Sequence, residues 1–209
     1  MTAVRAVIFD FGNVICFPPS PQKIARAAAD CGLSVDDFWR AAWKPRLEYD
    51  AGLMEPAVYW DAVASAAGTR FDAALLPALI RHEVEWWNDF DTRVLYWIDA
   101  LRASGIRTAI LSNLPRVLGE ALRATPGFLD RFHHVTFSYE LRMIKPAPGI
   151  YRHAVEGLRV APRETLFLDD KQTNVEGALA AGLHAELFTT WEDFVVQGVA
   201  ERYGLLQSH

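Results

Sequence analysis

The chain has 209 residues, 51% hydrophobic, 12% aromatic and 22% charged, which is the usage of a globular protein large enough to fold on its own core. Its 21 lysines and arginines against 26 aspartates and glutamates give a net charge of −5, which excludes the basic footprint of a general nucleic-acid binder. The longest stretch lacking Asp, Glu, Lys and Arg, Phe11 to Gln22, is broken by Pro18, Pro19 and Pro21, so no spanning helix and no membrane partner are expected. Asp10 intervenes before a signal-type apolar region develops, and Cys16 and Cys31 lack a tight spacing, so the expected location is cytoplasmic.

Val4 to Phe9 is the first of several short apolar runs ended by polar residues, the pattern of a strand buried on both faces. From Pro18 to about Asp89 the strand signal disappears and Ala, Trp and Leu fall at helical spacing, with Ser34 to Asp37 and Glu55 as helix starts. This stretch predicts a helical insertion, residues 18–89, holding Trp39, Trp43, Trp60, Trp86 and Trp87, five of the seven tryptophans. Trp39 and Trp43, at i and i+4, are expected to pack inside it rather than offer a stacking platform. Glu48, Tyr49 and Asp50, just before Gly52, are expected at the surface where a helix ends.

Beyond the insertion, Asp91 caps a helix whose stripe Val94, Leu95, Ile98 and Leu101 stops at Gly105. Further strands are predicted at Ile106 to Leu111, His134 to Phe137, Leu166 to Leu168 and Ala185 to Phe188. Thr173 and Glu176 form a capping-box pair predicted to open a helix running to Ala181 and Gly182. Strand, helix and strand in alternation imply an α/β fold with a Rossmann-like parallel sheet, built from residues 1–17 and 90–209. His82, His133, His134, His153, His184 and His209 share no ligand spacing and are expected to be surface or packed imidazoles.

Parallel sheets bind ligands beyond the carboxyl ends of their strands, so chemistry is expected there. Asp10 follows the first strand, Ser112 and Asn113 the second, and Asp169 and Asp170 the run Thr165 to Leu168, while Lys145 and Pro146 lie in the loop after His134 to Phe137. Singly, these residues read as caps, turns and a surface lysine. Together they bring three carboxylates, a hydroxyl and an ammonium to one sheet edge. Crowded carboxylates need a cation, and all-oxygen ligation favours Mg²⁺. Lys145, Ser112 and nearby amides suit a phosphate dianion, so the expected partner is a small-molecule phosphate ester and the expected chemistry phosphoryl transfer.

In order and content these residues resemble the four motifs of the haloacid dehalogenase superfamily. Phe9-Asp10-Phe11-Gly12-Asn13-Val14 resembles the first, Leu111-Ser112-Asn113 the second, Lys145-Pro146 the third, and Leu168-Asp169-Asp170 through Asn174 the fourth, and the insertion resembles the family's C1 cap. The resemblance implies that Asp10 is nucleophile and metal ligand, with the Gly12 carbonyl and Asp170 as further ligands and Asp169 acting directly or through metal-bound water. It also implies that Ser112, the Asn113 amide and Lys145 hold the phosphoryl group while Asn174 steadies the loop. One position departs: family phosphatases usually carry a second aspartate two residues after the nucleophile as general acid and base, and here it is Gly12. General acid catalysis contributes about 10² to 10⁴-fold, so esters with good leaving groups such as sugar 1-phosphates suffer least from its loss. The variant is similar to a branch containing α-D-glucose-1-phosphate phosphatases. Three alternatives compete: a metal-free 2-haloacid dehalogenase, a catalytically weak phosphate-binding protein, and a phospho-accepting receiver domain, whose motif order does not match.

Overall fold

The computed structural model describes residues 3–205, and the expectation for His209 lies outside them. Strand β1 (Ala6–Phe9) lies at the centre of a five-stranded sheet. It pairs in parallel with β2 (Arg107–Ser112) and β4 (Thr165–Asp169). Strand β3 (His134–Phe137) adds to β2 and β5 (His184–Leu187) to β4, again in parallel, giving the order β3-β2-β1-β4-β5. All five predicted strands are present, β3 with its predicted bounds and the other four shifted by one or two residues at their ends.

Because side chains alternate across a strand, β1 feeds two cores. Val7 and Phe9 face one with Trp97, Ile98 and Leu101, and Ala6 and Ile8 face the other with Ile150, Tyr151 and Ala154. The first core is closed by helix α6 (Thr92–Ala103), whose N-cap Asp91 accepts the Arg93 N–H at 3.0 Å as its sequence predicts. The second is closed by α9 (Pro148–Leu158) and α10 (Gln172–Ala180). The predicted capping box at Thr173 is not formed. Helix α10 starts two residues earlier with Lys171 as N-cap, the Lys171 N–H goes to Asp169 Oδ1 at 2.8 Å, and Glu176 accepts from Gln172 Nε2 at 3.1 Å. The carboxylate at the strand end reaches the free N–H first, leaving Thr173 inside the first turn.

Between β1 and α6 the chain forms α1 (Pro21–Asp30), α2 (Val35–Trp43), α3 (Arg46–Asp50), α4 (Pro56–Ala66) and α5 (Leu76–Trp86). Ser34 caps α2 through the Asp37 N–H at 3.2 Å, and Glu55 precedes α4 with Pro56 in its first turn. The two connections to the sheet run side by side, joined by Phe17 N–H to Asp89 O and Asp91 N–H to Ile15 O, both 2.8 Å. Inside the helices Phe38, Trp60 and Trp86 pack ring on ring at 5.9 to 6.3 Å. Two expectations fail here. Trp39 is only half-buried and Trp43 is 39% exposed, while Tyr49 and Asp50 are buried and Glu48 alone of that trio is exposed. Helix α3 is a single short turn-and-a-half pressed against the sheet end, so it buries residues that a longer surface helix would expose.

That pressure is visible at Gly52, whose φ of +68° and an added Cβ only 2.7 Å from Tyr139 O leave room for glycine alone. Next to it Ser138, the first residue of α8 (Ser138–Leu141), donates its hydroxyl to Asp50 O and accepts the Leu114 N–H at 2.9 Å. The insertion is thus hydrogen-bonded to the carboxyl end of β3. Among the described residues no helix is long and apolar enough to cross a membrane.

Candidate active site

Strand β1 delivers Asp10 to the carboxyl edge of the sheet, β4 delivers Asp169 and Asp170, and β2 delivers Ser112 and Asn113. Lys145 arrives from the loop between α8 and α9. Its ammonium sits 2.9 Å from Asp10 Oδ1 and 2.6 Å from Asp169 Oδ2, and donates to Leu111 O at 3.1 Å. Far from the solvated lysine that its composition alone would suggest, it is buried. Asn113 explains the placement: its side chain accepts the Lys145 N–H at 2.8 Å and donates to Lys145 O at 3.1 Å. The Asn113 amide group therefore grips the backbone of the lysine.

Asp169 is fully buried and saturated with donors. Oδ1 accepts from the Lys171 N–H and from Asn174 Nδ2 at 2.9 Å, and Oδ2 accepts from Lys145. Asn174 thus steadies Asp169 directly. Asp10 Oδ1 accepts the Phe11 N–H at 2.7 Å, which fixes the rotation of that carboxylate. Asp170 accepts from Asn13 Nδ2 at 2.8 Å; Asn13 adopts φ +61°, a left-handed conformation that asparagine tolerates better than most residues.

One oxygen from each of Asp10, Asp169 and Asp170 can be chosen so that all three lie within 4.8 Å. Lys145 is the cation that meets two of them, so the group carries excess negative charge. Burial, and then the Asp10 charge, push Asp169 up to about 6 against the pull of Lys145. The same two causes raise Asp170. For Lys145 burial disfavours the charge, but Asp10 and Asp169 outweigh it and its pKa is raised. Three hard oxygens with uncompensated charge fit a divalent cation such as Mg²⁺, and among the described residues no thiol or imidazole joins them.

Above this edge lies a cavity of about 430 Å³, within the range of small-molecule sites. Of the residues singled out in the sequence, Asp10, Gly12, Ser112, Asn113, Lys145, Asp170 and Asn174 all line it, and Asp169 stands behind them. The insertion supplies the facing wall: Trp39, Trp43, Trp87, Arg46 and Asp50. Trp39 and Trp43 meet edge to face at 5.6 Å, with Lys171 Nζ 5.7 Å from the Trp43 ring. The pair expected to be internal is therefore part of the cavity wall.

Arg46 and Asp50 were not legible as site residues. The Arg46 Nε lies 2.7 Å from Asp50 Oδ1, with an angle too poor for a hydrogen bond, and Nη1 donates to Glu83 Oε1 at 2.7 Å. Glu83 also accepts from the Tyr49 hydroxyl at 3.1 Å. Two buried acids share one buried cation, and burial pushes Asp50 up to about 7. None of the histidines among the described residues lines the cavity, in keeping with their lack of ligand spacing.

Residues 4–182 match the haloacid dehalogenase-like hydrolase family. The chain belongs to that family. Curated relatives include (S)-2-haloacid dehalogenase 1 of a Pseudomonas strain, 28% identical over 200 residues covering 88% of this chain and 84% of that protein. A D-ribitol-5-phosphate phosphatase of Bacteroides thetaiotaomicron is 26% identical over 184 residues, covering 82% and 85%. Protein CbbY of Rhodobacter capsulatus is 34% identical over 104 residues, a match spanning 46% of each chain. Among solved structures, a haloacid dehalogenase family enzyme of Bacteroides thetaiotaomicron, crystallised with magnesium and inorganic phosphate, superposes with a TM-score of 0.70 at 20% identity, covering 88% of this chain and 93% of that one. The protein is a hydrolase of the α/β, haloacid dehalogenase-like fold. The family therefore contains both chemistries that the sequence left in competition.

Proposed function

We propose that this hydrolase is a Mg²⁺-dependent phosphatase of small phosphate monoesters, favouring hexose 1-phosphates and similarly activated esters, with residues 18–89 as the cap over a cytoplasmic active site. The carrying observation is the carboxylate group of Asp10, Asp169 and Asp170 within 4.8 Å beside one buried lysine. A metal-free dehalogenase gains nothing from two further carboxylates facing an anionic substrate. The phosphatase and the magnesium and phosphate complex among the relatives support the same reading.

In this reading Asp10, Asp170 and the Gly12 carbonyl would hold the ion, which would supply charge neutralisation for an incoming phosphate. Asp169, its oxygens already taken by Lys145, Asn174 and the Lys171 N–H, stands behind the ion site and keeps Lys145 in place. Ser112, the Asn113 N–H and Lys145 orient the phosphoryl group. An Asp10 oxygen attacks phosphorus; the new O–P bond forms as the ester P–O bond breaks, and the electron pair leaves with the departing oxygen, which takes its proton from solvent. Water then attacks phosphorus, the aspartyl P–O bond breaks with its electron pair returning to Asp10, and of the water's two protons one leaves on the phosphate and one passes to solvent.

A panel of phosphate esters and 2-haloacids, run with magnesium and with EDTA, tests this. Phosphate release should fall by about 10²-fold or more in EDTA, because the ion contributes several kcal/mol to the transition state. Halide release that resists EDTA would instead establish the dehalogenase.

A further inference from the structure

We propose that Trp87 occupies the place of the proton-donating side chain missing at position 12, and that its ring edge makes the cavity selective for esters whose leaving group departs unprotonated and presents an apolar face. The inference rests on the phosphatase reading. A Cβ added at Gly12 would stand 3.1 Å from Trp87 Cζ3 and 3.6 Å from Cε3 and Cη2. A side chain at position 12 would therefore press at its first carbon on the benzene edge of the indole, so that the absent side chain and the tryptophan form two halves of one arrangement.

Trp87 is not free to yield. It is 9% exposed, caps the C-terminus of α5 with its backbone N–H on Val84 O at 3.2 Å, and lies among Trp39, Trp43, Trp86, Arg46 and Tyr59. The indole nitrogen is at the opposite side of the ring system from the atoms facing Gly12, so the surface over the nucleophile loop is hydrocarbon. An indole N–H donates hydrogen bonds but does not exchange a proton in the range where carboxyls do. The carboxyl that the insertion brings to the cavity, Asp50, is held by Arg46 at 2.7 Å.

With no acid at position 12, the leaving oxygen keeps the electron pair of the broken P–O bond until solvent protonates it. Hydroxyls that are already acidic tolerate this, namely anomeric and aryl ones. Both carry a face that packs against an aromatic wall: the C–H face of a pyranose or the plane of an arene. Glucose 1-phosphate against glucose 6-phosphate separates the first source, and 4-nitrophenyl against phenyl phosphate the second.

The test is a leaving-group series of kcat/KM on the wild type, Gly12→Asp, Trp87→Ala and the double variant, with Trp87→Leu as the companion if Trp87→Ala does not fold by circular dichroism. In the wild type the 1-phosphate should exceed the 6-phosphate by about 10²-fold or more, the scale of a lost general acid. Gly12→Asp alone and Trp87→Ala alone should not raise 6-phosphate turnover, whereas the double variant should raise it about 10-fold or more and flatten the series. A gain from Gly12→Asp alone, or a folded double variant with no gain, shows that Trp87 is not the obstacle and overturns the inference. Phosphate release with a flat series in the wild type reveals a proton donor elsewhere and overturns it together with the preference for activated esters, while sparing the phosphatase chemistry itself. No phosphate release from any ester sinks both.

Discussion

Asp10→Asn is expected to lower phosphate release by about 10⁴-fold or more with no loss of stability in the absence of metal. The kinetic part follows from chemistry: an amide oxygen cannot attack phosphorus and regenerate as a carboxylate, and removing a covalent nucleophile has effects of this order or larger. The stability part follows from electrostatics. Asp10 is the second cause, after burial, of the raised pKa at both Asp169 and Asp170. Neutralising it relieves that repulsion, leaves Lys145 paired with Asp169 at 2.6 Å, and keeps the side-chain shape that accepts the Phe11 N–H. Thermal melts in EDTA and a phosphate-release assay check the two parts on one sample. A folded variant within about tenfold of wild-type turnover would remove Asp10 from the nucleophile's role.

The sheet and the residues at its exit edge were legible because each strand announces itself: an apolar run buried on both faces must end where the backbone meets polar surroundings. Asp10, Ser112 and Asp169 stand at such ends, and their convergence follows from parallel order alone. Asn113 was read as a phosphate contact, and its backbone remains available for that, but its side chain spends both its donor and its acceptor on Lys145. No local pattern signals a partner 32 residues away. The same strand-end rule would have found Ser138 after β3, where the chain hydrogen-bonds to Asp50 O. The cavity wall was illegible for a different reason. Helical spacing shows which residues share a face, not what that face meets, so Trp39 and Trp43 read as interior. Asp50 read as a surface residue and Arg46 carried no signal, because helical spacing does not show that the buried Glu83 lies against them.

Arg46→Met is expected to destabilise the fold by about 3 to 5 kcal/mol at pH 8, the range for removing one partner of a buried ion pair. Glu83 and Asp50 would then be buried without a cation, and Glu83 has no exposed surface at all. The penalty depends on pH in a definite direction. Burial raises both acids, Asp50 to about 7, while an unfolded aspartate titrates near 3.9. At this site the folded state therefore binds more protons between those values, and the contribution of Asp50 to wild-type stability falls as pH rises from about 4 to about 7. Without the guanidinium, which favours the charged form of both acids, they hold their protons to still higher pH, so the variant's loss should be large at pH 8 and clearly smaller at pH 5, where neutral carboxyls need no partner. Chemical denaturation at the two pH values measures this, and Glu83→Gln in the Arg46→Met background should recover part of the loss at pH 8 by removing one of the stranded charges. Equal losses at both pH values would show that Arg46 serves through its packing on Trp43, Tyr49 and Tyr59, whose rings lie 5.5 to 6.0 Å away, rather than through its charge. The outcome bears on the active site because the backbone of Asp50 takes the Ser138 hydroxyl. Loosening α3 loosens the bond that holds the aromatic wall over Asp10, so the same variant should lose substrate affinity at pH 8 before it loses its fold.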